Sequence, residues 1–339
     1  MDPLVVFDPI YLQHVQHPGH PESPQRLEAM RSRLEELGLW VPTTPSEPAS
    51  LQQLEMVHDR RYLSALAARP AGPLDGDTYL HAHTFAHARM AAGGALRALS
   101  DARVDRPALG LLRPPGHHAR PGAAMGFCYL NNIAVAAAAV TAQGRRVAIV
   151  DLDLHHGNGT QEIFWERPDV LFLSTHEEGN YPGTGGSDEV GAGDGQGATL
   201  NIPLPAGSGD GTFAAAMDQV ILPTLTDFAP AVVLVSLGTD AHGRDPLGRL
   251  ALSSAGLVGL VRSLHELCAQ RLEAPLVLLL EGGYDLQAGA DCIGGIAGLL
   301  AGERVQLRFS TPTDRACVGG DWVRTARQVA EHHRPALRA

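Results

Sequence analysis

The segment Asp151-Leu152-Asp153-Leu154-His155 sets two carboxylates and an imidazole at every second position. Residues i, i+2 and i+4 of an extended chain share one face. Asp151, Asp153 and His155 are therefore expected to line up at the end of the apolar run 147–150. Such a group is costly to bury without a cation, and a metal relieves that cost. A second source of ligands, the segment 236–248, follows the apolar run 231–235 and carries Asp240. Asp153, His155 and Asp240 together offer three protein ligands and leave a fourth position open, as catalytic rather than structural zinc sites do. Within the same segment His242 and Asp245 read as bystanders, and Asp245, before Pro246, reads as a turn residue.

Two more loops carry candidate chemistry. Arg113-Pro114-Pro115-Gly116-His117-His118 presents adjacent histidines after a rigid turn. They are either further ligands or a general-base pair, since imidazole titrates near neutrality. Glu281-Gly282-Gly283-Tyr284 offers two glycines that permit close backbone approach, then a phenol able to donate to a developing oxyanion.

These loops need elements to hold them. Apolar, β-branched runs at 4–8, 108–112, 146–151, 170–174, 199–202, 231–237 and 275–281 read as buried parallel strands. Helical stretches are expected at 25–37, 84–99, 131–142, 211–225 and 253–272. The alternation predicts an α/β fold, a doubly wound, mostly parallel sheet with helices on both faces. Neither a linker nor an internal repeat divides the chain, so one catalytic domain over 1–339 is expected. Ligand sites of such sheets lie beyond the C-terminal strand ends. That rule selects 113–118, 151–156, 174–176, 238–245 and 282–284.

Composition narrows the function. The 26 basic residues are all arginine, against 37 acidic ones, and the formal net charge is −11. Without a basic cluster, nucleic acid is not an expected partner. Hydrophobic residues make up 44% of the chain, enough for a large core. The longest apolar runs, such as 133–140 and 275–280, fall well short of the ~20 residues of a membrane span, so no membrane partner is expected. The start Met1-Asp2-Pro3 lacks the basic and apolar regions of a signal peptide, and Cys128, Cys268, Cys292 and Cys317 show no paired spacing. A cytoplasmic protein is expected. Of the 16 histidines, His156 and His176 flank the candidate site, while His81, His83, His87 and His332-His333 read as surface residues.

The ordered motifs resemble the histone deacetylase superfamily, which includes histone deacetylases, acetylpolyamine amidohydrolases and bacterial histone-deacetylase-like amidohydrolases. They run from His20-Pro21-Glu22-Ser23-Pro24-Gln25-Arg26-Leu27, through 114–119, 126–132 and Tyr181-Pro182-Gly183-Thr184-Gly185, to 281–284. His-His-Gly-Asn-Gly-Thr-Gln at 155–161 and Asp-Pro-Leu-Gly at 245–248 look like the class II branch. The resemblance implies a single-domain arginase-like fold and zinc-dependent deacetylation, with iron(II) as an alternative cellular metal. It implies Asp153, His155 and Asp240 as metal ligands, His118 as general base and acid, and His117 as its partner, paired with Asp151. Asn158 faces His118, where some relatives carry aspartate, and Tyr284 polarises the scissile carbonyl. One lineage has histidine at that last position and little activity on acetyl-lysine, so tyrosine implies a working enzyme. Gly126, Phe127 and Tyr181 wall an acyl-lysine tunnel with Leu247 at its mouth. One structural potassium ion is implied at Asp151, Asp153, His155, Ser174 and Thr175, and a second at backbone carbonyls around Phe164, Arg167 and Val170. Arg26 matches an arginine lining a cavity behind the metal. Asp77 either accepts hydrogen bonds from a bound peptide or caps the helix near Thr84.

Other readings fare worse. A binuclear ureohydrolase of the arginase type needs a bridging carboxylate where Gly238 stands. A non-catalytic acetyl-binding module would have lost one of the ligands, histidines or the tyrosine. The substrate stays open between acetylated protein lysines, acetylpolyamines and other small N-acetylated amines, and so does the oligomeric state. Leu247 stands where a polyamine-selective relative has an acidic gatekeeper, which leans toward acyl-lysine.

Overall fold

The computed structural model describes residues 3–41 and 47–311. Its strands are β1 (Leu4–Val6), β2 (Gly72–Pro73), β3 (Tyr79–Leu80), β4 (Ala108–Gly110), β5 (Val147–Asp151), β6 (Val170–Glu177), β7 (Thr199–Leu204), β8 (Val232–Leu237) and β9 (Leu276–Leu280). β2 and β3 form a small antiparallel ribbon, and the other seven make one sheet in the order β1-β4-β9-β8-β5-β6-β7. Every pairing in that sheet is parallel. β5, β8 and β9 are neighbours, and Asp151 is in register with Ser236 of β8. Their carboxyl ends therefore open side by side.

The α-helices are α1 (Pro24–Glu36), α2 (Leu51–Leu54), α3 (Arg60–Ala68), α4 (Thr84–Asp101), α5 (Asn132–Thr141), α6 (Asn158–Phe164), α7 (Asp210–Ala216), α8 (Leu222–Phe228), α9 (Ser254–Leu267) and α10 (Leu286–Ala301). α4 and α5 pack together and against the sheet, while α1, α10, α9 and α7 pack in a row. The central strands are buried along their whole length, including Val147, Ile149, Val233 and Val277. That two-sided burial is why these runs are uniformly apolar instead of alternating.

All seven expected sheet strands are present, with shifted ends. β6 continues through His176 to Glu177, so His176 lies in the strand and not in a loop beyond it. The helix expected at 211–225 is built as α7, a π-helical turn at Met217–Ile221, and α8. His87 is buried on α4, its ring 6.1 Å from that of His14, and is not a surface residue. The pair His332-His333 and Cys317 lie outside the described residues.

Candidate metal and catalytic site

The stretch 151–155 does not stay extended. β5 ends at Asp151, and two side chains then fold the backbone into consecutive turns. Asp151 Oδ1 accepts from Asp153 N at 3.1 Å, and Asp153 Oδ1 accepts from His155 N at 2.9 Å. Such local bonds compete with strand geometry. The expected common face is therefore realised for two of the three residues. Asp153 and His155 join Asp240 in a buried group whose ligand atoms lie within 4.8 Å of one another. Asp151 instead faces His117, Oδ2 to Nδ1 at 3.0 Å.

The donor set fits a divalent cation. His155 Nδ1 lies 3.0 Å from Asp153 Oδ1 and 3.3 Å from Asp240 Oδ2. Asp240 Oδ1 accepts from Leu154 N, whereas its buried Oδ2 has no hydrogen-bond partner among the described residues beyond the ion-pair approach of His155. Burial and the neighbouring Asp153 push the Asp240 carboxyl up from its ordinary range. Against the effect of burial, two carboxylates close together draw positive charge, raising His155 to about 10, and a bound cation would supply that charge in its place. Gly282 N donates to Asp153 Oδ2 at 2.8 Å, and a Cβ at Gly282 would fall 2.0 Å from Asp240 Oδ2. Only glycine lets that strand end come so close.

His117 and His118 stack obliquely, with ring centres 4.0 Å apart. Burial alone would lower His117, but Asp153, Asp151 and Glu281 outweigh it and raise the imidazole to about 10. His118 is driven the other way, well below its ordinary value, by burial and by its neighbours His117 and His155. His118 Nδ1 lies 2.8 Å from Asn158 Oδ1. An amide oxygen only accepts, so Nδ1 carries the proton and Nε2 keeps its lone pair.

Tyr284 is fixed by a buried network that sequence reasoning identified only in Arg26. Arg26 donates from Nε to Gly283 O and from Nη2 to Glu281 O, each at 2.6 Å, and lies 5.0 Å over the Tyr284 ring. Glu22 holds Arg26 at 3.1 Å and grips Arg113 with both oxygens, at 2.5 and 2.9 Å. Glu281 Oε2 accepts from Gly116 N and His117 N, clamping the histidine loop. A glutamate closing an apolar strand and an arginine ahead of Pro-Pro-Gly were the available signals for Glu281 and Arg113. Burial holds the Tyr284 phenol well above its ordinary value despite Arg26, so it remains an O–H donor.

The residues expected to wall a channel sit on distant loops. Gly126 and Phe127 both take left-handed backbone, φ 54° and 67°. That conformation is strained for a bulky residue and clusters at functional sites. It sets the Phe127 ring 5.9 Å from Tyr284 and 4.5 Å from His20. The Tyr181 ring stands perpendicular to His118 at 5.1 Å. Leu247 is 37% exposed. Asp77 does not cap α4, whose N-cap is His83. It accepts from the Thr78 hydroxyl at 3.0 Å, and Thr78 Oγ1 in turn accepts from Phe127 N. Of the residues expected around potassium, Ser174 and Thr175 are buried in β6, and Thr175 Oγ1 donates to Asp151 O at 3.4 Å. Phe164 ends α6, its carbonyl accepting from Arg167 N at 3.0 Å, and Val170 opens β6.

Comparison with known proteins agrees with this geometry. Residues 20–300 match the histone deacetylase domain family. The chain is 39% identical over 309 residues to a protein of Archaeoglobus fulgidus named "Probable deacetylase", covering 88% of this chain and 86% of that one. It is 42% identical over 254 residues to an acetylpolyamine amidohydrolase of Burkholderia pseudomallei, 73% of each chain. Among solved structures, the HDA15 HD domain superposes with a TM-score of 0.87 at 34% identity, over 99% of this chain and 98% of that one.

Proposed function

The chain belongs to the histone deacetylase family, and from that premise we propose that it removes acetyl groups from lysine side chains with zinc held by Asp153, His155 and Asp240. It is a hydrolase acting on amides. When bound, zinc supplies Lewis acidity that polarises the amide carbonyl and acidifies water. His118 takes the proton of the attacking water at Nε2, because Asn158 occupies Nδ1. Asp151 keeps His117 charged beside it, which holds His118 neutral until that proton arrives. Tyr284 donates its hydroxyl to the developing oxyanion. Protonated His118 then gives a proton to the leaving amine, and the products are acetate and a free amine. Gly126, Phe127 and Tyr181 enclose the acyl-lysine chain, Leu247 meets it at the mouth, and Asp77 accepts from the backbone of a bound peptide.

The observation that carries this reading is the convergence of a buried two-carboxylate, one-imidazole group with the stacked His117-His118 pair, His118 lying 5.8 Å from the His155 ring, and with Tyr284 on the adjoining loop. Potassium is proposed at Asp151, Asp153, His155, Ser174 and Thr175 and again around Phe164, Arg167 and Val170. Iron(II) suits the same nitrogen and oxygen donors. Among the described residues no helix is long and apolar enough to cross a membrane. Cys128, Cys268 and Cys292 are free and buried, which suits a reducing cytoplasm. Acetylpolyamine hydrolysis is the second reading, favoured by the Burkholderia relative and by Asp75 and Asp77 lying close enough to raise the Tyr181 phenol.

The test is Tyr284→Phe. It should keep one equivalent of metal and lose on the order of 10²–10³-fold in kcat. Near-normal turnover would overturn the assignment. Measuring kcat/KM on an acetyl-lysine peptide, free acetyl-lysine, N8-acetylspermidine and acetylputrescine decides between the two substrate classes.

A further inference from the structure

We propose that Asp245 is a positioning residue that acts through Tyr284, tying the oxyanion donor to the mouth of the channel. The inference rests on the reading of Tyr284 given above. As a turn residue before Pro246, Asp245 needs only one oxygen. Oδ1 does that work, accepting from Leu247 N, two residues on, at 3.0 Å. Oδ2 is turned the other way. It accepts from Tyr284 N at 2.6 Å and from Asp285 N at 3.3 Å, 39 and 40 residues distant. Local turn formation does not account for those two bonds.

The loop they hold needs an outside anchor. Gly283 has φ 120°, and a Cβ there would fall 1.8 Å from Thr239 Oγ1, so no other residue type fits. That freedom leaves the backbone just before Tyr284 poorly determined by its own preferences. Arg26 fixes the carbonyls of Glu281 and Gly283, on the strand side. Asp285 fixes the helix side by capping α10 through Gln287 N and Ala288 N. Between the two, Asp245 Oδ2 holds the amide of Tyr284 itself. All three partners of the carboxyl are N–H donors shared between its two oxygens, where an amide offers one oxygen only. Asp245 is 8% exposed, so water does not replace these bonds cheaply. Leu247, on the other oxygen, is part of the mouth and is held from its far side by Asn180 Nδ2 at 3.5 Å. One carboxylate thus sets both where the substrate enters and where the phenol waits.

A double-mutant cycle on the metal-loaded enzyme tests this, with Asp245→Ala and Asp245→Asn each made alone and with Tyr284→Phe. Asp245→Ala should lower kcat about 100-fold, as a misplaced reacting group does, with KM within about threefold. Asp245→Asn keeps one acceptor oxygen and should lose roughly tenfold. In the Tyr284→Phe background either change should cost less than about threefold, because the group it positions is gone. Equal losses in both backgrounds, or loss of the metal, would overturn the proposal. Hydrogen exchange gives a readout free of activity. Amides 284–285 should exchange faster in both Asp245 variants while Gly282, bound to Asp153, stays protected. Unchanged exchange at 284–285 sinks the proposal even if the wild type hydrolyses no acetyl-lysine, an outcome that by itself would sink the deacetylase reading instead. If Asp245→Ala does not fold, Asp245→Asn carries the same comparison.

Discussion

At the floor of the site Asp153 and Asp240 are fully buried, on segments leaving the adjacent strands β5 and β8. Gly282, which bonds Asp153, follows β9 on the next strand over. Leu247, proposed for the mouth, is 37% exposed, and Asn180 reaches its carbonyl from a distant turn. The floor is positioned by the sheet, whose register leaves little play. The mouth is positioned by single side chains reaching across sequence, Thr78 to Phe127, Asn180 to Leu247 and Asp245 to Tyr284. A floor of this kind tolerates little change, whereas the bonds of the proposed mouth other than Asp245 to Tyr284 can be retuned for another substrate without disturbing the chemistry.

The largest effect is expected at the floor. Asp240→Asn should weaken metal binding and lower kcat/KM on the order of 10³-fold or more, since a neutral amide replaces an anionic ligand. Metal content and turnover measured together check it. Turnover within tenfold of wild type would mean that the floor is no more demanding than the mouth.

The next effect falls on stability. Glu22 is buried between Arg113, Arg26 and His14. Burial would raise its carboxyl, but the two arginines outweigh that and lower it from 4.5 to about 2. A carboxyl depressed on folding stabilises fully above its unfolded value, and that contribution drains as pH falls from about 4.5 toward 2. Glu22→Gln leaves two buried guanidinium groups short of a counter-charge, which costs about 3–5 kcal/mol. A melting temperature lower by roughly 10 °C at neutral pH is expected. The difference from wild type should shrink below pH 4.5. A constant difference across that window would remove the ion network from the account.

These effects also show why some residues were legible in sequence and others were not. Asp153, His155 and the His117-His118 pair stand in short motifs directly after apolar runs, so local pattern and the strand-end rule suffice to find them. Glu22 and Arg113 meet from 91 positions apart, and no local pattern signals that partnership. Asp245 before Pro246 signals a turn, and Oδ1 makes one, while Oδ2 answers to Tyr284 far along the chain. Helix α10 was not anticipated for a related reason. It carries four glycines, each a weak helix former, and Gly294 packs 3.0 Å, measured from a hypothetical Cβ, from Arg33 and Leu37 at α1. Close packing between helices dictated composition there, and composition concealed the helix.

The smallest effect belongs to the mouth. Leu247→Glu adds a charge at an exposed position of the proposed mouth, where Tyr181 already feels Asp77 and Asp75. Each exposed charge pair is worth at most about 1 kcal/mol, and salt screens it. The ratio of kcat/KM for N8-acetylspermidine over a neutral acetyl-lysine amide should therefore rise by about fivefold at low salt, and fall back as ionic strength increases. The change should lie in KM, with kcat for both substrates nearly unaltered, because the side chain of Leu247 is exposed and only its amide is tied to Asp245. A large drop in kcat would show that the mouth and the floor are not separable at this position. The coupling through Asp245 would then extend from the backbone of residue 247 to its side chain.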